Sequence, residues 1–139
     1  MLEPGIKGKM TVTVSEANSA KTMGSGTLDV FATPAMIALI EETCWRSVAD
    51  QLEEGKSTVG TQLTIDHSSP TGLGMEVTCE SELLEAEGRR LLFNVICYDG
   101  VTVVGSGTHE RYIIDTASFM NKVEEKKDLS LISKLAQQA

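Results

Sequence analysis

The sequence predicts an α+β fold, and three observations carry that prediction. Helical periodicity is strong over one central stretch, from Thr33 to about Leu52 or Glu54. The residues after it switch from a period of 3.6 to a period of 2 and keep alternating to about Ile114. Turn signals at Ser68–Gly72, Glu87-Gly88 and Asp99-Gly100 cut that alternating run into consecutive antiparallel strands. One amphipathic helix and one meander must bury their apolar faces against each other, so the helix is expected to lie across the sheet.

Residues 9–15 (KMTVTVS) alternate with Met10, Val12 and Val14 on one face, a short half-buried strand. The following ANSAKTMGSGT is polar and rich in Gly and Ser, and reads as a mobile loop. Thr33-Pro34 is a helix-start signal, a hydroxyl at the N-cap with proline behind it. Gly55 marks the helix end. Laid out at about 100° per residue, Ile37, Ala38, Ile40, Cys44, Trp45, Val48, Ala49 and Leu52 fill one arc, and Glu42, Arg46, Asp50 and Glu53 the other. Glu41 breaks this pattern by falling between Val48 and Leu52 inside the apolar arc.

In residues 58–67, Thr61, Leu63, Ile65 and His67 share one face. In residues 73–87, Met75, Val77, Cys79 and Leu83 oppose Glu76, Thr78, Glu80 and Glu82, which implies a sheet with one wet side. RRLLFNVICY is apolar on both faces and reads as a central strand, and VTVVGSGTHERYII follows as the last. The tail from Thr116 spaces Phe119, Val123, Leu131, Ile132 and Leu135 at roughly helical intervals. Without repeats or a linker, residues 1–139 read as a single domain.

Composition narrows the function. A 41% hydrophobic and 23% charged chain is an ordinary globular balance. The net charge of −8 repels phosphate backbones, which makes nucleic acid a poor partner. Cys44, Cys79 and Cys97 sit in apolar patterns without CxxC spacing, and read as free thiols of a cytoplasmic protein. No signal-peptide run or membrane-spanning stretch is present. Neither zinc-ligand spacing, a Walker loop, a dinucleotide fingerprint nor a GxSxG elbow occurs.

Three polar residues stand out. A carboxylate on an apolar helix face costs several kcal/mol unless paired. Glu41 is therefore either a boundary glutamate reaching outward or a tuned acid, base or nucleophile. His67, on the core-facing side of a strand end, reads as a satisfied structural histidine or, beside a buried glutamate, as a proton carrier. Thr33 is explained as a helix cap, though a helix start also offers N–H groups to a developing oxyanion. Gly60, Gly105 and Gly107 interrupt strands, where glycine marks a bulge or a close approach, and a bend accounts for the last two. His109 and Arg111 share a face of the last strand, as a salt bridge or an edge position would require.

VFATPAMIALIEETCW, VGTQLTIDHSSPTGLGMEVT, EGRRLLFNVICYDG and GSGTHERYII, in this order, resemble the fluoroacetyl-CoA thioesterase family over about residues 30–114. The resemblance implies a hotdog fold, a sheet wrapped around a central helix. It also implies a homodimer with active sites near the subunit interface, an acyl-CoA substrate, no metal and no cofactor beyond the CoA of that substrate. It implies catalytic roles for Thr33, Glu41 and His67, and substrate contacts for Gly60 and Arg111. Glu41 would attack the thioester carbonyl or activate water, Thr33 would orient it or the substrate, and His67 would carry protons. The family's fluoroacetyl-specific enzyme has a longer segment before F-A-T, with aromatics that shield its site. Here that segment is ANSAKTMGSGTLDV, with no aromatic, so a general short- or medium-chain acyl-CoA is the expected substrate. Arg89, Arg90, Lys122, Lys126 and Lys127 are available for CoA phosphates. A non-catalytic acyl-CoA-binding dimer and a hotdog hydratase or dehydratase are the competing readings.

Overall fold

The structure, a computed structural model, describes residues 2–138. Strand β1 (Lys7–Thr13) leads through a 3-10 turn (Glu16–Asn18) and the single turn α1 (Ala20–Met23) to helix α2 (Thr33–Ala49). Strands β2 (Lys56–His67), β3 (Glu76–Glu87), β4 (Arg90–Tyr98) and β5 (Val103–Asp115) follow, and helix α3 (Thr116–Gln138) closes the chain. All strand pairs are antiparallel, in the order β1-β3-β4-β5-β2. The RRLLFNVICY strand is therefore central, and among the described residues β2 lies at an edge with one side unpaired.

One sheet face and α2 form the core. Val77, Cys79, Leu83, Leu91, Phe93, Val95, Cys97 and Val104 from the sheet meet Met36, Leu39, Ile40, Cys44 and Val48 from the helix. The alternation predicted for β3 holds, with Val77, Cys79, Ser81 and Leu83 inward. All three cysteines are buried and free. Burial pushes the Cys44 thiol well above the ordinary range, so it behaves as a packing residue.

Gly105 shows how closely helix and sheet approach. A Cβ there would sit 2.5 Å from the Asp66 carbonyl oxygen and 2.8 Å from Met36 Sδ, so Gly105 answers to close packing rather than a simple bend. The contact holds the start of α2 against the end of β2.

The helix departs from expectation in three ways. It ends at Ala49, several residues early, and Gly55, at φ +81°, makes the turn into β2. Its N-cap is Ala32, with Thr33 at the first helical position, because the chain before it is tied down by Ala32 N–H donating to Asn18 O (3.0 Å) and Phe31 N–H to Thr71 O (2.8 Å). Thr33 therefore makes no side-chain cap, and its hydroxyl is free for another partner.

The buried face is also rotated from the expected arc, running through Met36, Leu39, Ile40, Thr43, Cys44 and Val48. Ile37, Ala38, Trp45 and Ala49 form an apolar flank instead, with Trp45 39% exposed. The apolar arc is wide because it spans two faces, and the sheet covers only one. Glu41 sits on the uncovered flank.

The segment read as a mobile loop is anchored. Ser19 and Ala20 are buried, Ala20 N–H donates to Val30 O (2.8 Å), and Ser19 bridges to Phe31. The tail is helical, as its spacing suggested, but all of α3 is exposed.

Candidate active site

Two polar clusters flank α2. The first joins Thr33 to His67 at the start of the helix, with Thr33 Oγ1 2.7 Å from His67 Nδ1. The first turn of α2 and the strand end that carries His67 bring these groups together across 34 residues of sequence. Burial pushes the His67 pKa below the ordinary histidine value, while the Ser69 backbone opposes the shift in part. A neutral imidazole bonded to a hydroxyl can accept or return a proton near neutral pH. Beside it, the Thr33 and Ala35 N–H groups belong to the first turn of α2, where helical geometry leaves donors without intrahelical partners. A groove of about 300 Å³ opens on this pair, with Ala20, Ser25, Val30, Phe31, Pro70, Ser68 and Ser69 completing its walls.

The second cluster surrounds Glu41. Its Oε2 accepts from Arg111 Nη1 at 3.0 Å. Arg111 also donates through Nε to Thr58 Oγ1 (2.9 Å) and through Nη2 to the Thr58 carbonyl oxygen (3.0 Å). Arg111 is 5% exposed, whereas the Glu41 side chain is 39% exposed. A buried guanidinium needs a counter-charge, and Glu41 supplies it while keeping an open side. Gly60 lies against all of them, because a Cβ there would overlap Glu41 Oε2 and come within 3.1 Å of His109 Cε1 and 3.2 Å of Arg111 Nη1. The register shift between Gly60 and Gln62 is a bulge that leaves Thr61 unpaired, and Thr61 Oγ1 donates to Glu110 Oε1 (2.7 Å).

The five residues singled out in the sequence therefore fall into two groups, Thr33 with His67 and Glu41 with Gly60 and Arg111. Thr33 and Glu41 are eight residues apart on α2, a separation of about 12 Å along the axis. Within one chain, Glu41 makes its contacts with Arg111 and not with the Thr33–His67 pair. A second groove, of about 320 Å³, runs from Trp45 and Ala49 to Thr58 and Arg111 on the same flank. A third cavity, of about 320 Å³ between the end of α2 and Ile113–Asp115, contains none of these residues.

The sequence places His109 on one face with Arg111 but gives it no part in the site. It is fully buried and within hydrogen-bond distance of Arg111. Its parity with Arg111 was the available signal, but the tertiary contact with Glu41 was not legible. Thr58 had no sequence signal at all. Of the cations suggested for CoA phosphates, Arg90 is already engaged by Glu110 (2.7 Å) and Glu85 (2.8 Å), and is not free. Lys127 lies 3.9 Å from Glu124. Among the described residues, no three His, Cys, Asp or Glu side chains are grouped to hold a metal ion.

Comparison with known proteins agrees with this architecture. Residues 14–117 match the profile of the fluoroacetyl-CoA-specific thioesterase family. A fluoroacetyl-CoA thioesterase from Streptantibioticus cattleyicolor is 44% identical over 98 residues, 70% of either chain. A solved structure of a fluoroacetyl-CoA thioesterase superposes with a TM-score of 0.86 at 34% identity, covering 91% of this chain and 98% of that one. A hot-dog-like protein from Thermanaerovibrio acidaminovorans shares the fold, with a TM-score of 0.82 at 22% identity over 90% of this chain and 93% of its own. With five antiparallel strands around one central helix, the chain has the hotdog fold and belongs to the fluoroacetyl-CoA-specific thioesterase family.

Proposed function

We propose that this chain hydrolyses the thioester of a short- or medium-chain acyl-CoA to a free acid and CoA. The observation that carries the reading is the hydroxyl–imidazole pair of Thr33 and His67 at the start of α2, on the helix whose outer flank holds the Glu41 carboxylate. Family membership supplies the reaction class, since the relatives are fluoroacetyl-CoA thioesterases.

The chemistry divides among the residues as follows. The thioester carbonyl oxygen lies toward the N–H groups of the first turn of α2, which stabilise the negative charge it gains. Glu41 delivers the attack on the carbonyl carbon, directly or through a water molecule it deprotonates. The C–S bond breaks as the CoA thiolate departs; on the direct route this leaves a Glu41–acyl anhydride, which a water molecule then hydrolyses to the free acid. On either route the proton released by that water passes through the neutral His67 imidazole to the thiolate, so Glu41 and His67 return to their starting states. Thr33 holds His67 in one ring orientation for this transfer, and Arg111 with Gly60 sets where the Glu41 carboxylate lies.

These groups converge when two copies pair. The free edge of β2 and the apolar flank of Ile37, Ala38, Trp45 and Ala49 are adjacent surfaces suited to a second copy. Antiparallel pairing of two β2 strands about a two-fold axis sets the Gly60 end of one beside the His67 end of the other. Glu41 of one protomer then faces the Thr33–His67 pair of its partner. The homodimer, on this reading, is the catalytic unit.

The acyl group occupies the groove beside Thr33 and His67, where Ser25 and Ala20 leave space and no aromatic side chain from residues 17–30 narrows it. Fluoroacetyl selectivity is therefore not part of the proposal. No helix among the described residues is long and apolar enough to cross a membrane, and three free buried thiols support a reducing, cytoplasmic setting.

A panel of acyl-CoA substrates read by release of free thiol tests the function. Wild type should release thiol, and Glu41→Gln and His67→Ala should lose most of that activity. Binding without turnover would instead indicate an acyl-CoA-binding dimer, and hydration of an enoyl-CoA without thiol release a hydratase.

A further inference from the structure

The Glu41 cluster holds a buried histidine to which the mechanism above gives no task. His109 is 0% exposed, and both ring nitrogens have partners. Nδ1 lies 2.9 Å from the Gln62 carbonyl oxygen, and Nε2 lies 3.1 Å from Arg111 Nη1.

The proton inventory allows only one arrangement. A guanidinium is a donor at every nitrogen and accepts nothing. Nε2 therefore faces an N–H and must present its lone pair, while Nδ1 faces a carbonyl oxygen and must carry the proton. The neutral Nδ1–H tautomer satisfies both contacts. An imidazolium would set a second cation against Arg111 in a buried site. Burial and the Arg111 charge both push the His109 pKa below the ordinary value, while the Gln62 carbonyl and the charges of Glu41 and Glu110 oppose them.

This tautomer fixes Arg111 in turn. Nη1 has two hydrogens, and its two acceptors are Glu41 Oε2 at 3.0 Å and His109 Nε2 at 3.1 Å. Nε and Nη2 are held by Thr58. Glu41 Oε2 and His109 Nε2 are only 4.0 Å apart, two electron-rich atoms separated by the one nitrogen that donates to both. Without the imidazole, the Thr58 contacts still anchor one edge of the guanidinium. Its Nη1 corner, the one that holds Glu41, loses its second restraint.

We propose that His109 is a positioning residue: as a neutral Nδ1–H imidazole bonded to the Gln62 carbonyl, it holds Arg111 Nη1, and through it the Glu41 carboxylate, in the reactive arrangement. The inference rests on the role given to Glu41 above.

Three substitutions separate its contacts. His109→Gln places a carbonyl oxygen near the position of Nε2 and keeps an acceptor for Arg111. His109→Asn keeps a donor for Gln62 but does not reach Arg111, and His109→Leu keeps neither. In acyl-CoA hydrolysis by the full-length enzyme, Asn and Leu should lower kcat by about 10- to 100-fold, the scale of a side chain displaced by up to an ångström. KM should stay within about threefold, and Gln should recover most of kcat, because the contact sets geometry rather than binding. Nitrogen-15 spectra of the wild-type imidazole should show Nδ1 protonated and Nε2 bare at neutral pH.

Folded Asn or Leu variants with wild-type kcat would overturn the proposal, as would a Gln variant as impaired as Leu. A proton on Nε2 would overturn it too, and that measurement stands even where a variant does not fold. The Glu41→Gln control separates the two levels. If it keeps full activity, the role of Glu41 fails. If it is inactive while His109→Asn is not, only the positioning role fails.

Discussion

Gly60→Ala should cost far more activity than stability. The added methyl would overlap Glu41 Oε2, and it would stand 3.1 Å from His109 Cε1 and 3.2 Å from Arg111 Nη1. Ordinary contact between such atoms is about 3.5–4.0 Å, so the carboxylate must retreat by on the order of 1 Å. Glu41 is the group that moves, because Arg111 and His109 are buried whereas the Glu41 side chain is 39% exposed. The backbone does not resist the change, since Gly60 is not among the positive-φ glycines. Overpacking of this kind costs about 1–3 kcal/mol, offset by about 0.4–1 kcal/mol from the stiffer unfolded chain. Weakening the half-exposed Glu41–Arg111 pair adds less than about 1 kcal/mol. A net loss near 1–2 kcal/mol leaves a typical domain folded. A reacting carboxylate displaced by 1 Å, however, lowers kcat by about 100-fold. Urea denaturation measures the first quantity, and thiol release at saturating acyl-CoA the second. A folded Gly60→Ala enzyme with kcat within about threefold of wild type would refute the packing argument. A rise in KM at constant kcat would mean that Gly60 serves substrate binding alone.

Other outcomes follow from the same geometry. Thr33→Ala removes the 2.7 Å contact to His67 and should lower kcat by about 10- to 100-fold, while Thr33→Ser, which keeps the hydroxyl, should retain most activity; equal loss in both would mean that the hydroxyl is not the essential group. The lowered pKa of His67 places its protonation below the ordinary value of 6.5, so kcat/KM should hold steady through pH 7 and fall only on the acid side of 6.5. An acid limb above 6.5 would contradict this. His67 and His109 both have folded-state pKa values below their unfolded ones, so the unfolded chain binds more protons on acidification. Their contribution to stability is complete above 6.5 and is lost as pH falls from there through the folded values. The Tm should decline across that window, and less so in His109→Gln; a Tm that rises on acidification there would reverse the sign.

Much of the fold was legible because period and turn chemistry agree. The alternation of Val77, Cys79 and Leu83 against glutamates gave β3, and Asp99-Gly100 separated β4 from β5. The helix was found, but its orientation was not. Its apolar residues cover two faces, and a periodicity argument assigns them all to one. For the same reason Glu41 was recognised as anomalous and yet misplaced, since it lies on an open flank beside Arg111 rather than in the core. Thr33 was read as a cap because the sequence cannot show that Phe31 and Ala32 are held by Thr71 and Asn18, which shifts the helix start by one residue. The segment around Ser19 looked mobile because its anchoring is tertiary, through backbone contacts that carry no compositional signal. His109 and Arg111 were placed on one face correctly, but their link to Glu41 spans 70 residues and depends on the bulge at Gly60.

The division of Glu41 from Thr33 and His67 within one chain makes the shared site the central claim, and subunit mixing tests it most directly. Glu41→Gln and His67→Ala proteins, each inactive alone, are unfolded together and refolded. If each site takes Glu41 from one protomer and His67 from the other, every mixed dimer regains one intact site, and random pairing restores about a quarter of wild-type thiol release. If each site is built within one chain, every site in the mixture lacks one residue, and the mixture stays as inactive as its parents.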